Sequence, residues 1–295
     1  MPNLRCSRSP TSGSLETSSR SCPRLQPRSR SGRASSLAFD VSSSKSPFNA
    51  STERVERVLC FTAHPDDIDF GAAGTIAAWT AAGVQVSYCI MTDGDAGGFD
   101  PVDRERIIGL RAEEQRHAAS LVGVQDIHYL HERDGYLEPT HEVIKRVVEL
   151  IRRIRPQIVL TMHPERNWDR IQKSHPDHLA AGEAVTRAIY PAVENPFAYP
   201  ELAEAGLEAY KLPWLWFISS PGSLENHFVD VTDHVDSKLA AIRIHASQHP
   251  DVAHMERVVR NNLIANGGRA GFPEGRSAEA FHVVAVNGNS TIAGF

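Results

Sequence analysis

The sequence predicts an α/β protein with a Rossmann-like, three-layer fold: a mostly parallel sheet with helices on both faces. Two observations carry this. Short, nearly continuous apolar runs recur from residue 55 onward, and a strand buried on both faces reads as such a run rather than as an alternation. These runs alternate with stretches of helical spacing, the pattern that right-handed crossovers turn into a parallel sheet.

Val58 to Ala63 is the first strand, and it ends in His64-Pro65-Asp66-Asp67. The small residues from Gly71 to Trp79 suit a helix packed close to the sheet. Val84 to Met91 is a second strand, followed by a Gly- and Asp-rich loop from Thr92 to Gly98. Asp103 to Leu121 is helical, with Ile107, Leu110, Ala118 and Leu121 in register and Gly123 as its stop. A third strand covers Asp126 to Leu130, and a helix covers His141 to Ile154, ended by Pro156. Gln157 to Met162 is the fourth strand, and Asp177 to Ile189 the next helix. Pro191 to Pro213 is a long connection that reads as lid or rim. Trp214 to Ser219 and His227 to Val231 follow as strands, Asp236 to Ala246 and Val252 to Ala265 as helices, and Ala280 to Val286 as a last strand. In the common 3-2-1-4-5 order the first and fourth strands are neighbours. The loops after Ala63 and Met162 then face each other at the switch point, where open α/β sheets bind ligands.

A chain of 295 residues with 41% hydrophobic content suits one α/β domain, residues 51–295, preceded by a tail. Residues 1–50 are rich in Ser, Arg and Pro, so disorder is expected there. The same composition matches an organellar transit peptide, or a start codon placed too far upstream. The first 48 residues carry eight basic and two acidic side chains, so of the net −5 the remainder holds −11. An acidic body argues against nucleic acid as the main partner. The four cysteines show neither disulfide-scaffold nor zinc-finger spacing, which fits a cytoplasmic protein. No apolar run approaches the ~18 residues of a membrane span. A homo-oligomer is left open.

Two clusters carry the chemistry. His64-Pro65-Asp66-Asp67 closes the first strand, and His175-Pro176-Asp177-His178 opens a helix. A catalytic zinc takes three His or carboxylate ligands and leaves a fourth position for water, and His64, Asp67 and His178 provide such a set. Zinc so held would activate its water and polarise a carbonyl. Asp66 would then accept the proton, and His175 would assist the tetrahedral intermediate.

In these residues the chain resembles the PIG-L/LmbE-like zinc-dependent deacetylases, which act on N-acetylglucosamine-containing conjugates. The matching text is Ala63-His64-Pro65-Asp66-Asp67 with Gly71 and Gly74, then His175-Pro176-Asp177-His178. Weaker echoes are Arg111 with Glu114, Ser247-Gln248, and Ala278-Glu279-Ala280-Phe281. The resemblance spans residues 55 to 286. It implies Zn2+, or another divalent transition metal, on His64, Asp67 and His178. It also implies Asp66 as general base, His175 beside the oxyanion or leaving group, and Arg111 near substrate hydroxyls. Many members have Glu after the two aspartates where this chain has Ile68 and then Asp69, so the orientation of the ligand histidines must rest on other groups. Where some members have Tyr, this chain has Lys173, which supplies the same electrophilic help or none.

Simpler readings compete. Four His-Pro pairs occur, at His64, His163, His175 and His249, so the pair alone proves nothing; His249 reads as a break between two helices. Asp66 or Asp67 would serve as a helix cap, His175 and His178 as a solvated pair, and Arg111 with Glu114 as an exposed ion pair. Capping does not explain two His/Asp clusters brought to one sheet edge. Trp79, Trp214 and Trp216 are assigned to the core, and Trp168 to stacking on a sugar. The expectation is a zinc-dependent hydrolase that removes acetyl from an N-acetylglucosamine-type conjugate or a similar small N-acyl compound. Its rivals are an amidase for a larger acyl-sugar or thiol-sugar conjugate and a non-catalytic sugar- or nucleotide-binding module.

Overall fold

Strand β1 (Arg57–Thr62) sits in the middle of the sheet, and every residue after Arg57 is buried, as its apolar run requires. The computed structural model describes residues 46–49, 53–98, 104–168 and 170–287. Strands β2 (Gln85–Thr92) and β4 (Ile158–Met162) flank β1 in parallel, with Val58 opposite both Val86 and Ile158. Strand β3 (Asp126–Glu132) extends the sheet beyond β2, and β5 (Trp214–Ile218) beyond β4, again in parallel. Two antiparallel strands, β6 (His227–Asp230) and β7 (Ala278–Ala285), complete the order β3-β2-β1-β4-β5-β7-β6. The parallel part has the expected order, so the loops after β1 and β4 are neighbours.

Helices α1 (Asp67–Ala81), α2 (Arg104–Leu121) and α6 (Val235–Ile244) pack together on one side of the sheet. Helices α3 (His141–Ile154) and α4 (Pro176–Arg187) pack together against β1 and β4 on the other. Helix α7 (Val252–Ala270) covers β6 and β7. Helix α1 is buried almost all round, and its glycines permit the approach. A Cβ on Gly71 would fall 2.5 Å from Ile218 Cδ1, and one on Gly74 2.9 Å from Val231 Cβ. Helix α3 shows the opposite case, an amphipathic stripe with a Thr140 cap whose hydroxyl accepts from Val143 N at 3.2 Å.

The long connection that reads as lid or rim is held against the flank of α3. The segment Ala188–Val193 continues α4 across a kink at Tyr190, whose backbone is extended, and leads to the short helix α5 (Pro200–Glu204). Arg152 of α3, 2% exposed, donates to the carbonyls of Ala192, Val193, Asn195, Ala198 and Leu207. One guanidinium thereby satisfies carbonyls that an irregular segment would otherwise leave unpaired.

Of the expected disordered tail only residues 46–49 are described. Within them, Phe48 is buried edge-on against Trp214 and Trp216, and Ser46 Oγ bonds His227 Nδ1 at 2.8 Å. An isolated aromatic beside Ser and Pro carries no periodicity, so this docking was invisible to pattern reading. Trp79, Trp214 and Trp216 are core residues, as expected, and Cys60 and Cys89 are buried free thiols. No helix among the described residues is long and apolar enough to cross a membrane.

A buried ion pair fastens α6 and β7 to the start of α1. Lys238 Nζ donates to Glu279 Oε1 at 2.7 Å and to the carbonyls of Asp69 and Phe70 at 2.9 and 2.7 Å. Glu279 in turn accepts from Gly74 N and Thr75 N. The Ala278-Glu279-Ala280-Phe281 echo is thus a structural tie behind the site. Glu279→Ala would strand the Lys238 charge in the core and is expected to lower unfolding free energy by about 3–5 kcal/mol in urea denaturation. A loss under about 1 kcal/mol would show that the tie is dispensable.

Candidate functional site

Every functional side chain here comes from a loop at the carboxyl end of a parallel strand, or from the helix that follows it. His64, Asp66 and Asp67 follow β1; Ala96 and Gly97 follow β2; Asp134 and Gly135 follow β3; His175, Asp177 and His178 follow β4. Together with Arg111 of α2, the pocket lining comprises His64, Asp66, Ala96, Gly97, Asp134, Gly135 and His175, around about 300 Å³.

Asp66 has φ 95° and ψ −32°, a left-handed conformation that Asp tolerates better than most residues. This kink aims two successive carboxylates in different directions. Asp66 occupies the N-cap position of α1, but its side chain makes no capping hydrogen bond, so the reading of its carboxylate as a simple cap fails. Its oxygen Oδ2 lies 3.4 Å from Arg111 Nη2, and its backbone N–H donates to Gln115 Oε1 at 2.7 Å. Asp67 turns the other way, between two imidazoles. Its Oδ2 is 3.3 Å from His64 Nδ1 and accepts from His64 N at 2.8 Å, while its Oδ1 is 3.0 Å from His178 Nε2.

The outer nitrogen of each imidazole is already committed to the protein. His64 Nε2 lies 3.1 Å from both Asp134 Oδ1 and Asp177 Oδ2. His178 Nδ1 lies 3.4 Å from the carbonyl of Lys173. If these outer atoms carry protons, as their acceptors demand, the inner atoms His64 Nδ1 and His178 Nε2 present lone pairs beside Asp67. The ligand atoms of His64, Asp67 and His178 lie within 4.8 Å of one another. An imidazole braced by a carboxylate or a carbonyl on its far nitrogen is the usual form of a metal ligand.

His64, His175 and Asp177 also lie close enough to share a cation. That set fits less well, because Asp177 is fully buried and already accepts from Gly135 N at 2.6 Å, Leu137 N at 3.2 Å and His64. The donor set of His64, Asp67 and His178 fits a divalent transition metal, zinc included. Orientation of the histidines, left open by Ile68 and Asp69, rests on Asp177, Asp134 and the Lys173 carbonyl.

The electrostatics show the same demand for positive charge. Burial opposes a charged His64, but its bonds to Asp134, Asp177 and Asp67 win and push its pKa up to about 12. Burial likewise opposes charge on His178, and Asp67 raises it. The Asp67 carboxyl, despite burial, is held well below the usual range by His178 and His64. His175 moves the other way: burial and the nearby His64 lower its pKa. It is neutral at pH 7, and because Nδ1 accepts from Asp177 N at 3.3 Å, the proton sits on Nε2.

Among the sequence-predicted residues, His64, Asp66, Asp67, Arg111, His175 and His178 gather here. Lys173 and Trp168 do not line the pocket. Burial lowers the Lys173 pKa while Glu225 pulls it up, and Trp168 is 80% exposed with Arg166 over its ring. Arg111 is buried and donates to Gly94 O and Pro65 O, and Glu114 instead binds Ser247, so they are no surface pair. Sequence reasoning missed Asp134, Gln115 and the role of Asp177. Asp134 lies in the loop after β3, as the other site residues lie in loops after their strands, but no motif marks it.

A family model described as PIG-L, GlcNAc-PI de-N-acetylase, matches residues 59–189. Diacetylchitobiose deacetylase of Thermococcus kodakarensis is 37% identical over 206 residues, covering 70% of this chain and 73% of that protein. The chain belongs to the PIG-L/LmbE-like family. Another member of the family, the probable N-acetyl-alpha-D-glucosaminyl L-malate deacetylase 2 of Bacillus anthracis, is 31% identical, covering 65% of this chain and 80% of its own. The solved N,N'-diacetylchitobiose deacetylase of Pyrococcus horikoshii superposes with a TM-score of 0.72 at 30% identity, over 78% of this chain and 84% of that one. The PIG-L match covers both clusters and the strands between them.

Two measurements probe the candidate cation site of this family member. In metal-free protein His64, its pKa pushed up to about 12, is protonated at pH 7, so loading with Zn2+ is expected to release about one proton. Titration calorimetry in buffers of different ionisation enthalpy reads that number, and zero release would contradict the ligand set. Asp177→Asn keeps the shape but removes the charge behind His64, and zinc affinity by chelator competition is expected to fall about 10- to 100-fold.

Proposed function

We propose that this chain is a zinc-dependent N-deacetylase that removes an acetyl group from an N-acetylglucosamine-type conjugate or a similar small N-acyl compound. One observation carries the reading. Two imidazoles, each spent on the protein at its outer nitrogen, converge with Asp67 beside a pocket that also holds the Asp66 carboxylate and the His175 imidazole. The relatives named above, deacetylases of acetylated amino sugars, support the substrate class.

His64, Asp67 and His178 would hold the cation, which when bound supplies water activation and polarisation of the acyl carbonyl. Asp66, one residue from the ligand Asp67 but turned into the pocket, accepts the proton of the attacking water. His175 Nε2–H faces the same pocket and donates to the oxygen that gains charge at the carbonyl carbon, or to the departing nitrogen. Oxygen adds to the carbonyl carbon, the C–N bond breaks, and the nitrogen leaves as the amine with the transferred proton. Acetate is the other product.

Arg111 braces this arrangement. Its bonds to Pro65 O, Gly94 O and Asp66 join the loops after β1 and β2, and its position on the wall suits contact with sugar hydroxyls. Lys173 enters through its carbonyl, which orients His178, and Trp168 offers an exposed ring for stacking.

Purified protein is expected to hold about one zinc per chain and to release acetate, in a chelator-sensitive way, from N-acetylglucosamine derivatives. Asp66→Asn should keep the metal and lose about 10²- to 10⁴-fold in kcat. Undiminished turnover would remove Asp66 from the mechanism, and faster release of a bulkier acid than of acetate would favour an amidase for larger acyl groups.

A further inference from the structure

The loop between α6 and α7 carries a histidine that the mechanism above leaves unused. His249 follows Ser247, whose backbone N–H and hydroxyl bind Glu114 of α2 at 3.0 and 2.6 Å. Gln248 N donates to His245 O, Pro250 restricts the next residue, and Asp251 caps α7 through a 2.9 Å bond from His254 N. The His249 ring packs against Phe70 of α1, with centroids 4.8 Å apart. A loop anchored at both ends therefore sets this ring against the first turn of α1.

His249 Nε2 is closed off from solvent and has no hydrogen-bonded partner among the described residues. Buried nitrogens of this kind are rarely left without a purpose. The Oδ2 of Asp66 lies 3.5 Å away, and the same oxygen is 3.4 Å from Arg111 Nη2. A shift of roughly half an ångström makes the first of these a hydrogen bond, the sort of tightening that sites undergo when substrate closes them.

We propose that His249 is a positioning residue: its Nε2–H, with Arg111 Nη2, clamps Asp66 Oδ2 and leaves Oδ1 for the attacking water. This rests on the deacetylase reading above. The kinked backbone of Asp66 and the Gln115 bond to its N–H fix where the side chain starts. Neither fixes its carboxylate plane. The clamp supplies that missing restraint, and it draws on three elements, α2, α1 and the α6–α7 loop.

The test sets His249→Phe, which keeps the edge-to-face packing on Phe70 but removes the donor, against His249→Gln, which keeps an N–H at the same reach. In acetate-release assays His249→Phe is expected to lower kcat about 10- to 100-fold, with KM within about twofold and zinc content unchanged, while His249→Gln recovers most of the rate. Crystal structures of the zinc-loaded proteins supply a readout independent of turnover. The Asp66 carboxylate should hold one orientation in the wild type and in His249→Gln, and rotate or split in His249→Phe. Full activity in His249→Phe, equal losses in both variants, or an unmoved carboxylate would each overturn the clamp. If the wild type releases no acetate from any N-acylated sugar, the deacetylase reading fails and the carboxylate orientation alone decides the role of His249.

Discussion

The placement of His64 among three carboxylates is the constraint on which the rest of the site depends. A lone imidazole at a strand end has no reason to adopt one ring orientation. Here Asp67 takes one side and Asp134 and Asp177 the other, so rotation about its ring axis would lose several bonds at once. Asp177 is the pivot. It sits fully buried in the first turn of α4, where the helix terminus favours an anion, and it accepts from Gly135 and Leu137 of the loop after β3. One side chain thereby ties three loops from three strands. Burial raises its pKa, and the bonds from His64, Gly135 and Leu137 lower it further than burial raises it, so the carboxylate stays charged.

This arrangement explains how two histidine motifs over a hundred residues apart meet at one place. The parallel order places β4 beside β1, and Gly182 lets α4 approach so closely that a Cβ there would fall 2.4 Å from Met162 O. The rings of His64 and His178 are then 5.3 Å apart, and those of His64 and His175 4.8 Å. Proximity follows from sheet topology, and orientation follows from hydrogen bonds. The two are separate problems, and the chain solves them with different residues.

That separation also marks what the sequence could disclose. Strand order and the facing loops were legible, because burial on both faces leaves a continuous apolar run and because crossovers have one hand. Helix α3 was legible to its ends, from His141 to Ile154, since its apolar stripe and its stop at Pro156 are local signals. Metal-type residues stood out because His and Asp recur in one motif at each of two strand ends. What stayed hidden were residues whose role exists only in the assembled site. Arg111 was named for the site by resemblance, but its burial against Pro65 O was not legible, nor was the reach of Glu114 to Ser247, 133 positions away. Asp134 lacks any motif, and His249-Pro250 looks like a simple helix break. No periodicity reports a contact between loops.

Ile68 and Asp69 show how the chain departs from the family pattern without losing the geometry. Ile68 goes wholly into the core and anchors the first turn of α1 by packing. Asp69, also fully buried, accepts from Gln115 Nε2 at 2.9 Å and pairs with His245 Nε2 at 2.8 Å. Gln115 then passes the restraint on, since its other terminal atom holds the N–H of Asp66. A chain of polar contacts thus runs from α6 through Asp69 and Gln115 to the strained backbone at Asp66. A left-handed Asp costs about 1–3 kcal/mol, and it persists only where surrounding bonds over-determine it. Here they do so from beneath, which leaves the face of Asp66 toward the pocket available for chemistry.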